Sequence, residues 1–223
     1  MPPSLRAPRV SLRSTALTLA IVALGLPGAE ARAEWQTVAT EQGVEVSQQP
    51  VEGRDLPMFR GVGDVEASLS DILEVIGDVA EHTRWMPDCA ESRLLREEGD
   101  VLYVYRRTSA PWPVSDRDVV IRSRTEVIET DVEVHVYFEA VDEPAVAPDS
   151  GAIRMPHLSG HYKLRALGPA RTRVEYQVDV DPGGRLPGWL AAGTSRDNPI
   201  RTLVGLRAQL ADRELAPVSA TRR

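Results

Sequence analysis

The sequence predicts an α+β fold: a curved antiparallel sheet wrapped around one long C-terminal α-helix, with two short helices after the first strands. Three observations carry this. Apolar and polar residues alternate through 131–141 and 173–180, the period of strands with one packed and one wet face. Helical spacing is confined to 68–85 and to the stretch after Pro187. Strands in a block, with helices set apart from them, point away from a parallel sheet.

The chain opens with a segment outside that fold. Arg6, Arg9 and Arg13 form a positive n-region, Ala16 to Leu26 an apolar run too short to span a bilayer comfortably, and Ala31-Arg32-Ala33 a small-residue cleavage site. This is the pattern of a secretory signal peptide, 1–33, cut after Ala33. No Cys follows the apolar run, as a lipoprotein anchor requires, and no adjacent Arg pair marks a twin-Arg signal. The expected domain is 34–215, with 216–223 a disordered tail, and the expected address is periplasmic or secreted.

Cleavage would remove four Arg (6, 9, 13 and 32) and one Glu (30), a charge of +3, taking the net charge from −7 to −10. Such acidity argues against nucleic acid and against stable adhesion to anionic lipid. It leaves room for transient membrane contact through an apolar patch, and a monomer is expected. Cys89 is the single cysteine, so stability must come from a core; it reads as a small buried hydrophobe.

In chain order, Trp35 to Val46 reads as a first strand and Met58 to Val65 as a second. The Gly61-Val62-Gly63 within it lacks the third glycine and the strand-to-helix turn of a dinucleotide site. Ser68 or Ser70 caps a helix carrying Leu69, Ile72, Leu73 and Ile76, which ends at Gly77-Asp78. Val79 to Trp85 reads as a second short helix stopped by Pro87. Pro111 and Pro113 break Leu102–Arg124 into two strands around a corner, because proline cannot donate a ladder hydrogen bond.

Val132, Val134, Val136, Phe138 and Ala140 then face one way along a strand, and Val174, Tyr176, Val178 and Val180 along another. Asp142 to Ser150 reads as a loop, and Asp181-Pro182-Gly183-Gly184 as the turn that ends the sheet. The last helix starts at Pro187 and carries Ile200, Leu203, Val204 and Leu210, with Pro199 interrupting or kinking it. A sheet curled around one helix, a helix-grip, encloses a tunnel unless large side chains fill it. Aromatic residues make up only 5% of the chain, which is consistent with a cavity.

Few motifs carry chemistry. His157 and His161 have the spacing of a zinc motif, but on a helix; here they fall in a strand. Asp116 and Asp118 flank Arg117 at a strand start, where surface ion pairs are the simpler reading than paired carboxylates at work. No nucleophile elbow, phosphate loop or Cys-x-x-Cys occurs. No catalytic residue, metal site or cofactor is expected.

Several pieces, in order and spacing, resemble the START family of lipid-transfer domains. They are Trp85-Met86-Pro87, Tyr103-x-Tyr105, Pro111-Trp112-Pro113-Val114-Ser115-Asp116-Arg117-Asp118, Gly151-x-Ile153-Arg154-Met155, Asp181-Pro182-Gly183-Gly184 and Leu186-Pro187-Gly188-Trp189-Leu190. The resemblance implies a non-enzymatic domain that binds, and transfers, one lipid, sterol or other hydrophobic small molecule in a tunnel under the C-terminal helix. It implies a ligand-binding set drawn from each part of the wall. The short helix gives His82, Trp85 and Met86. The central strands give Val104, Arg106, Arg117, Val119 and Ile121, and the next strand Met155 and Leu158. The helix gives Trp189, Leu190 and Leu203.

The phosphatidylcholine-carrying branch of the family cages its choline with aromatic rings. The corresponding positions here are Arg106, Val119 and Leu158, and His82 and Met86 stand where that branch has the Arg and Asp around the short-helix Trp, so that specificity does not carry over. Two rival classes stand beside the carrier: a helix-grip enzyme of cyclase or hydrolase type on an apolar substrate, and an interaction module with a filled core. The strand Leu102–Thr108 is open in register. The family register turns Leu102, Val104 and Arg106 inward and Tyr103, Tyr105 and Arg107 outward; a slip by one would leave Arg106 in solvent.

Overall fold

Gln42 and Gly43 carry positive φ angles of 51° and 69°, the signature of a two-residue type I′ turn whose twist suits the strands it joins. The expected single strand over Trp35–Val46 is therefore a hairpin: β1 (Gln36–Glu41) and β2 (Val44–Gln49), with Glu41 opposite Val44. The computed structural model describes residues 34–146, 151–186 and 188–215, with side chains of 188–191 excepted. The segment assigned to a signal peptide and the tail at 216–223 lie outside the described residues.

β3 (Met58–Val65) has the expected bounds and pairs with β2. Ser68 caps α1 (Leu69–Gly77), its hydroxyl accepting from the Asp71 N–H at 3.2 Å, and Ile72, Val75 and Ile76 are buried. A 3-10 turn at Val79–Glu81 leads into α2 (His82–Trp85). Met86 is extended, as a residue before proline must be.

Seven strands follow: β4 (Cys89–Glu98), β5 (Val101–Thr108), β6 (Asp116–Glu129), β7 (Glu133–Ala140), β8 (Ala152–Arg154), β9 (His157–Gly168) and β10 (Arg171–Asp181). The sheet order is β1-β2-β3-β10-β9-β7-β6-β5-β4, antiparallel throughout. One strand departs from the expected pattern: β8 pairs in parallel with the start of β6. It pairs with Asp116 to Asp118, and Arg117 to Ile121 are all buried, on both phases of the strand. Only the far end of β6 is wet.

α3 (Gly188–Leu215) lies across the packed face and runs on through Pro199. Proline supplies no N–H to the carbonyl four residues before it, so one turn is weakened without ending the helix. Ile200, Leu203, Leu206 and Leu210 are buried in the same core as Val44, Phe59, Val119, Leu164 and Val174. The Gly61-Val62-Gly63 run is a packing device. A β-carbon on Gly61 would lie 2.6 Å from Pro199 Cβ, and one on Gly63 would meet Leu203 and Arg207.

The two halves of α3 are held differently. After Pro199, Arg201 forks onto Asp88 (2.6 and 2.8 Å), Arg207 donates to the carbonyls of Gln42, Gly43 and Asp64, and Arg213 pairs with Asp78 at 2.6 Å. Before it, Ala192, Gly193, Thr194, Arg196 and Asp197 are exposed. Their one ion pair to the sheet, among the described residues, is Arg196 with Glu41 at 3.6 Å.

Candidate functional site

Between the sheet and the first half of α3 is a cavity of about 630 Å³. Its apolar wall is Met155, Leu158, Val178 and Val180 from β9, β10 and the residues before β9, with Pro111 and Val114 from the proline corner. Its roof is Thr194, Ser195, Asn198 and Arg201 of α3. Arg106, Thr108, Ser109 and Arg117 add polar groups on the sheet side of the same space. A second chamber of about 50 Å³ lies beside it, walled by α1, α2 and the inner faces of β5 and β6, including His82, Met86, Val104 and Ile121. Arg106 and Tyr176 line both.

The corner is built by hydrogen bonds that the prolines force. Val114 N–H donates to the Pro111 carbonyl at 2.9 Å, and Ala110 N–H to Asp116 Oδ1 at 3.0 Å. Trp112, at its tip, is 92% exposed. Arg117 ties the corner to the turn before α3: it donates to the carbonyls of Ser115, Pro182 (3.3 Å) and Gly183 (3.2 Å). Asp118 is fully buried and accepts a two-pronged bond from Arg154 at 2.8 and 3.1 Å, joining β6 to β8. The expectation of surface ion pairs at 116–118 is therefore corrected for Arg117 and Asp118 and holds for Asp116, which pairs with Arg107 at 3.6 Å, both partly exposed. Arg154 of β8, a three-residue strand, makes the Asp118 pair internal.

β5 pairs Arg106 with Val119 and with Ser92, the register that points Leu102, Val104 and Arg106 inward. Tyr105, expected outside, is on the outer face yet only 3% exposed, covered by Arg93 stacked 4.5 Å over its ring. The Arg106 guanidinium donates to Met86 Sδ at 3.3 Å, a weak acceptor. Among the described residues no carboxylate pairs with it; Asp88, on the same cavity wall, is already taken by Arg201.

The groups near enough to feel Arg106 are neutral. Burial pushes the phenols of Tyr162 and Tyr176 and the thiol of Cys89 up. Burial, with help from Arg106, pushes His82 down to about 4. His82 Nε2 lies 2.9 Å from the Ile76 carbonyl and Nδ1 3.1 Å from Ser92 Oγ. A carbonyl only accepts, so Nε2 carries the proton and Nδ1 accepts from the serine. Tyr162, Tyr176 and Phe138 pack as one aromatic cluster, the two tyrosine rings 4.7 Å apart.

Of the residues implied by resemblance, His82, Met86, Val104, Arg106 and Ile121 line one or both chambers, as do Arg117, Met155 and Leu158. Trp85, Val119 and Leu203 do not: they are 5%, 1% and 0% exposed and packed in the core. The side chains of Trp189 and Leu190 lie outside the described residues. Tyr176 and the α3 residues Thr194, Ser195 and Asn198 were not anticipated as wall. Only the inward phase of Tyr176 signalled it.

The outer face of the sheet holds the other histidines. His157 bonds Asp179 at 3.1 Å and His161 bonds Glu175 at 3.0 Å, each with its own carboxylate on β10. Ser159 also approaches His157, but at the same Nε2 that Asp179 occupies. A catalytic relay uses both ring nitrogens, so these three do not form one.

A curved antiparallel sheet packed against one long C-terminal helix defines a helix-grip domain. The chain belongs to the START family: the START domain matches residues 24–203. START domains bind lipids or other hydrophobic ligands. The chain is 38% identical over 197 residues to an uncharacterized protein of Pseudomonas aeruginosa, covering 88% of this chain and 96% of that one. It is 28% identical over 161 residues to the phosphatidylcholine transfer protein of Bos taurus, covering 71% and 75%. A crystallised fragment of the STAR-related lipid transfer protein of Xanthomonas axonopodis superposes with a TM-score of 0.71 at 36% identity, covering 79% of this chain and 98% of that one.

Proposed function

We propose that this chain is a non-enzymatic carrier: it takes one lipid or other hydrophobic small molecule into the space beneath α3 and moves it across the aqueous gap of the cell envelope. The observation that carries this is the cavity of about 630 Å³ with an apolar wall beneath the part of α3 before Pro199, in a START family member. Each buried CH₂ is worth about 0.8 kcal/mol, so a free lipid leaves a bilayer slowly and a protein cavity replaces the membrane in transit. The names of two relatives, both lipid transfer proteins, support the reading. The choline specificity named by one of them is not adopted here, since Arg106 and Leu158 stand at cage positions and Val119 is packed away from both chambers.

Loading needs a door. The part of α3 before Pro199, where Ala192, Gly193, Thr194, Arg196 and Asp197 are exposed, follows Gly183 and Gly184 and is the segment that lifts. Trp112 beside the cavity is the membrane contact, an amphipathic ring suited to the headgroup zone. The carrier works as an exported monomer, freed by cleavage after Ala33. The family match opens at residue 24, inside the assigned signal, so intact mass of exported protein decides that point: a chain starting at Glu34 is expected, and one retaining Met1 would refute export.

Transfer of a fluorescent lipid between donor and acceptor vesicles tests the carrier. Purified protein should speed transfer in proportion to its concentration, with the lipid recovered chemically unchanged. A converted product would establish an enzyme instead. No acceleration with any lipid would leave only an interaction module.

A further inference from the structure

We infer that the cargo is a single-chain amphiphile with an anionic head, seated with that head on Arg106 and its chain along Met155, Leu158 and Val178. This rests on the carrier reading and narrows it.

Two independent observations lead here. The first is charge. Arg106 lines both chambers and its hydrogen bond goes to a thioether, Met86 Sδ, at 3.3 Å. The other charges on the cavity wall are satisfied: Asp88 with Arg201, and Arg117 on three backbone carbonyls. While the cavity holds water, Arg106 is hydrated. An apolar occupant displaces that water, and a buried guanidinium without an acceptor is costly. The occupant must bring the acceptor. A quaternary ammonium head would instead set like charges together. Tyr162, Tyr176 and His82, all held neutral by burial, offer no counter-charge, and Arg106 is the wall cation whose hydrogen bond goes only to a thioether. A planar guanidinium fits a carboxylate or a phosphate by two parallel hydrogen bonds.

The second is size. At the roughly 30 Å³ that one water claims in the liquid, the cavity of about 630 Å³ has room for about twenty non-hydrogen atoms. A long-chain fatty acid has about that many; a two-chain phospholipid has more than twice as many. The chamber of about 50 Å³ beyond Arg106 is large enough for ordered water behind the head and too small for a second chain.

Competitive displacement of a bound fluorescent fatty-acid probe tests this with palmitate, methyl palmitate, hexadecyl phosphate, hexadecyltrimethylammonium and dipalmitoyl phosphatidylcholine. Palmitate or hexadecyl phosphate should displace the probe at least tenfold more tightly than methyl palmitate and hexadecyltrimethylammonium; which of the two is tighter tells a carboxylate head from a phosphate head. Arg106→Met should bring the acids down to the level of the ester and leave the ester unchanged. Arg107→Met should keep the preference. Equal binding of palmitate and its methyl ester by the native protein would overturn the anionic head without needing any variant, as would an Arg106→Met protein of native melting temperature that still prefers the acid. Tighter binding of phosphatidylcholine than of every single-chain compound would overturn the size. If no compound binds, and no vesicle lipid is transferred, the carrier reading itself fails.

Discussion

A β-carbon on Gly205 would lie 2.1 Å from the carbonyl oxygen of Trp85, so α3 rests directly on the last turn of α2 at that point. The contact fixes the half of the helix that follows Pro199. It also predicts an inverted response to substitution. Replacing a helix glycine by alanine normally gains about 1 kcal/mol, while overfilling a packed site costs about 1–3 kcal/mol. The obstacle here is backbone, which cannot turn aside. Gly205→Ala should lose about 2 kcal/mol in urea unfolding. Gly193→Ala, where an added β-carbon meets nothing within 4 Å, should gain up to about 1 kcal/mol. Two gains would disprove the contact.

His82 gives a pH signature. Its folded value of about 4 lies below the ordinary 6.5, so the unfolded chain binds more protons between those limits and stability rises with pH across them. The contribution is complete above 6.5, is lost as pH falls from 6.5 toward 4, and amounts to roughly 3 kcal/mol at 1.36 kcal/mol per unit. Glu175, held down to about 2 chiefly by its bond to His161, loses its contribution in a lower window, below 4.5. Unfolding free energies measured at pH 5, 5.5, 6 and 7, above the Glu175 window, should climb in the native protein and stay nearly flat in His82→Gln. Parallel curves for the two proteins would show that another group governs the slope.

Trp112 should serve delivery and not affinity. It is exposed at the tip of the corner whose base lines the cavity. Inserting an apolar side chain of this kind into a membrane interface is worth about 1.5–3 kcal/mol, so Trp112→Ser should lower vesicle binding roughly tenfold or more. The same variant should bind soluble single-chain ligands as the native protein does. Unaltered vesicle binding would remove the corner from the membrane contact.

The parts of the fold that were legible in the sequence are those where one face alone decides. β10 reads correctly because Val174, Tyr176 and Val178 are buried while Arg173, Glu175 and Gln177 face out. A serine cap before α1 reads correctly, with the structure choosing Ser68 over Ser70, because the hydroxyl acts only three residues away. β4 escaped notice because it is an edge strand, mostly wet on both sides, with Arg and Glu along most of it. The hairpin turn at Gln42-Gly43 lacks the Asn or Asp that usually announces it. Asp118 and Arg154 are 36 residues apart, and nothing local says that a three-residue strand will bring them together. Arg106 lay in a run with apolar residues on both phases, so pattern left its register open; only pairing with Val119 and Ser92 turned it inward. Tyr162 lies in a strand with little alternation around Gly160, and its place in the wall depends on Phe138 and Tyr176 from two other strands.

The most direct measurement is organic extraction of protein purified without detergent, with mass spectrometry of the extract and native mass spectrometry of the intact complex. A chain that carries cargo under α3 should hold close to one equivalent of a single apolar compound, an acid with one long chain, and lose it in Arg106→Met while remaining folded. A protein that emerges empty and takes up neither a long-chain acid nor any vesicle lipid on titration would contradict the carrier.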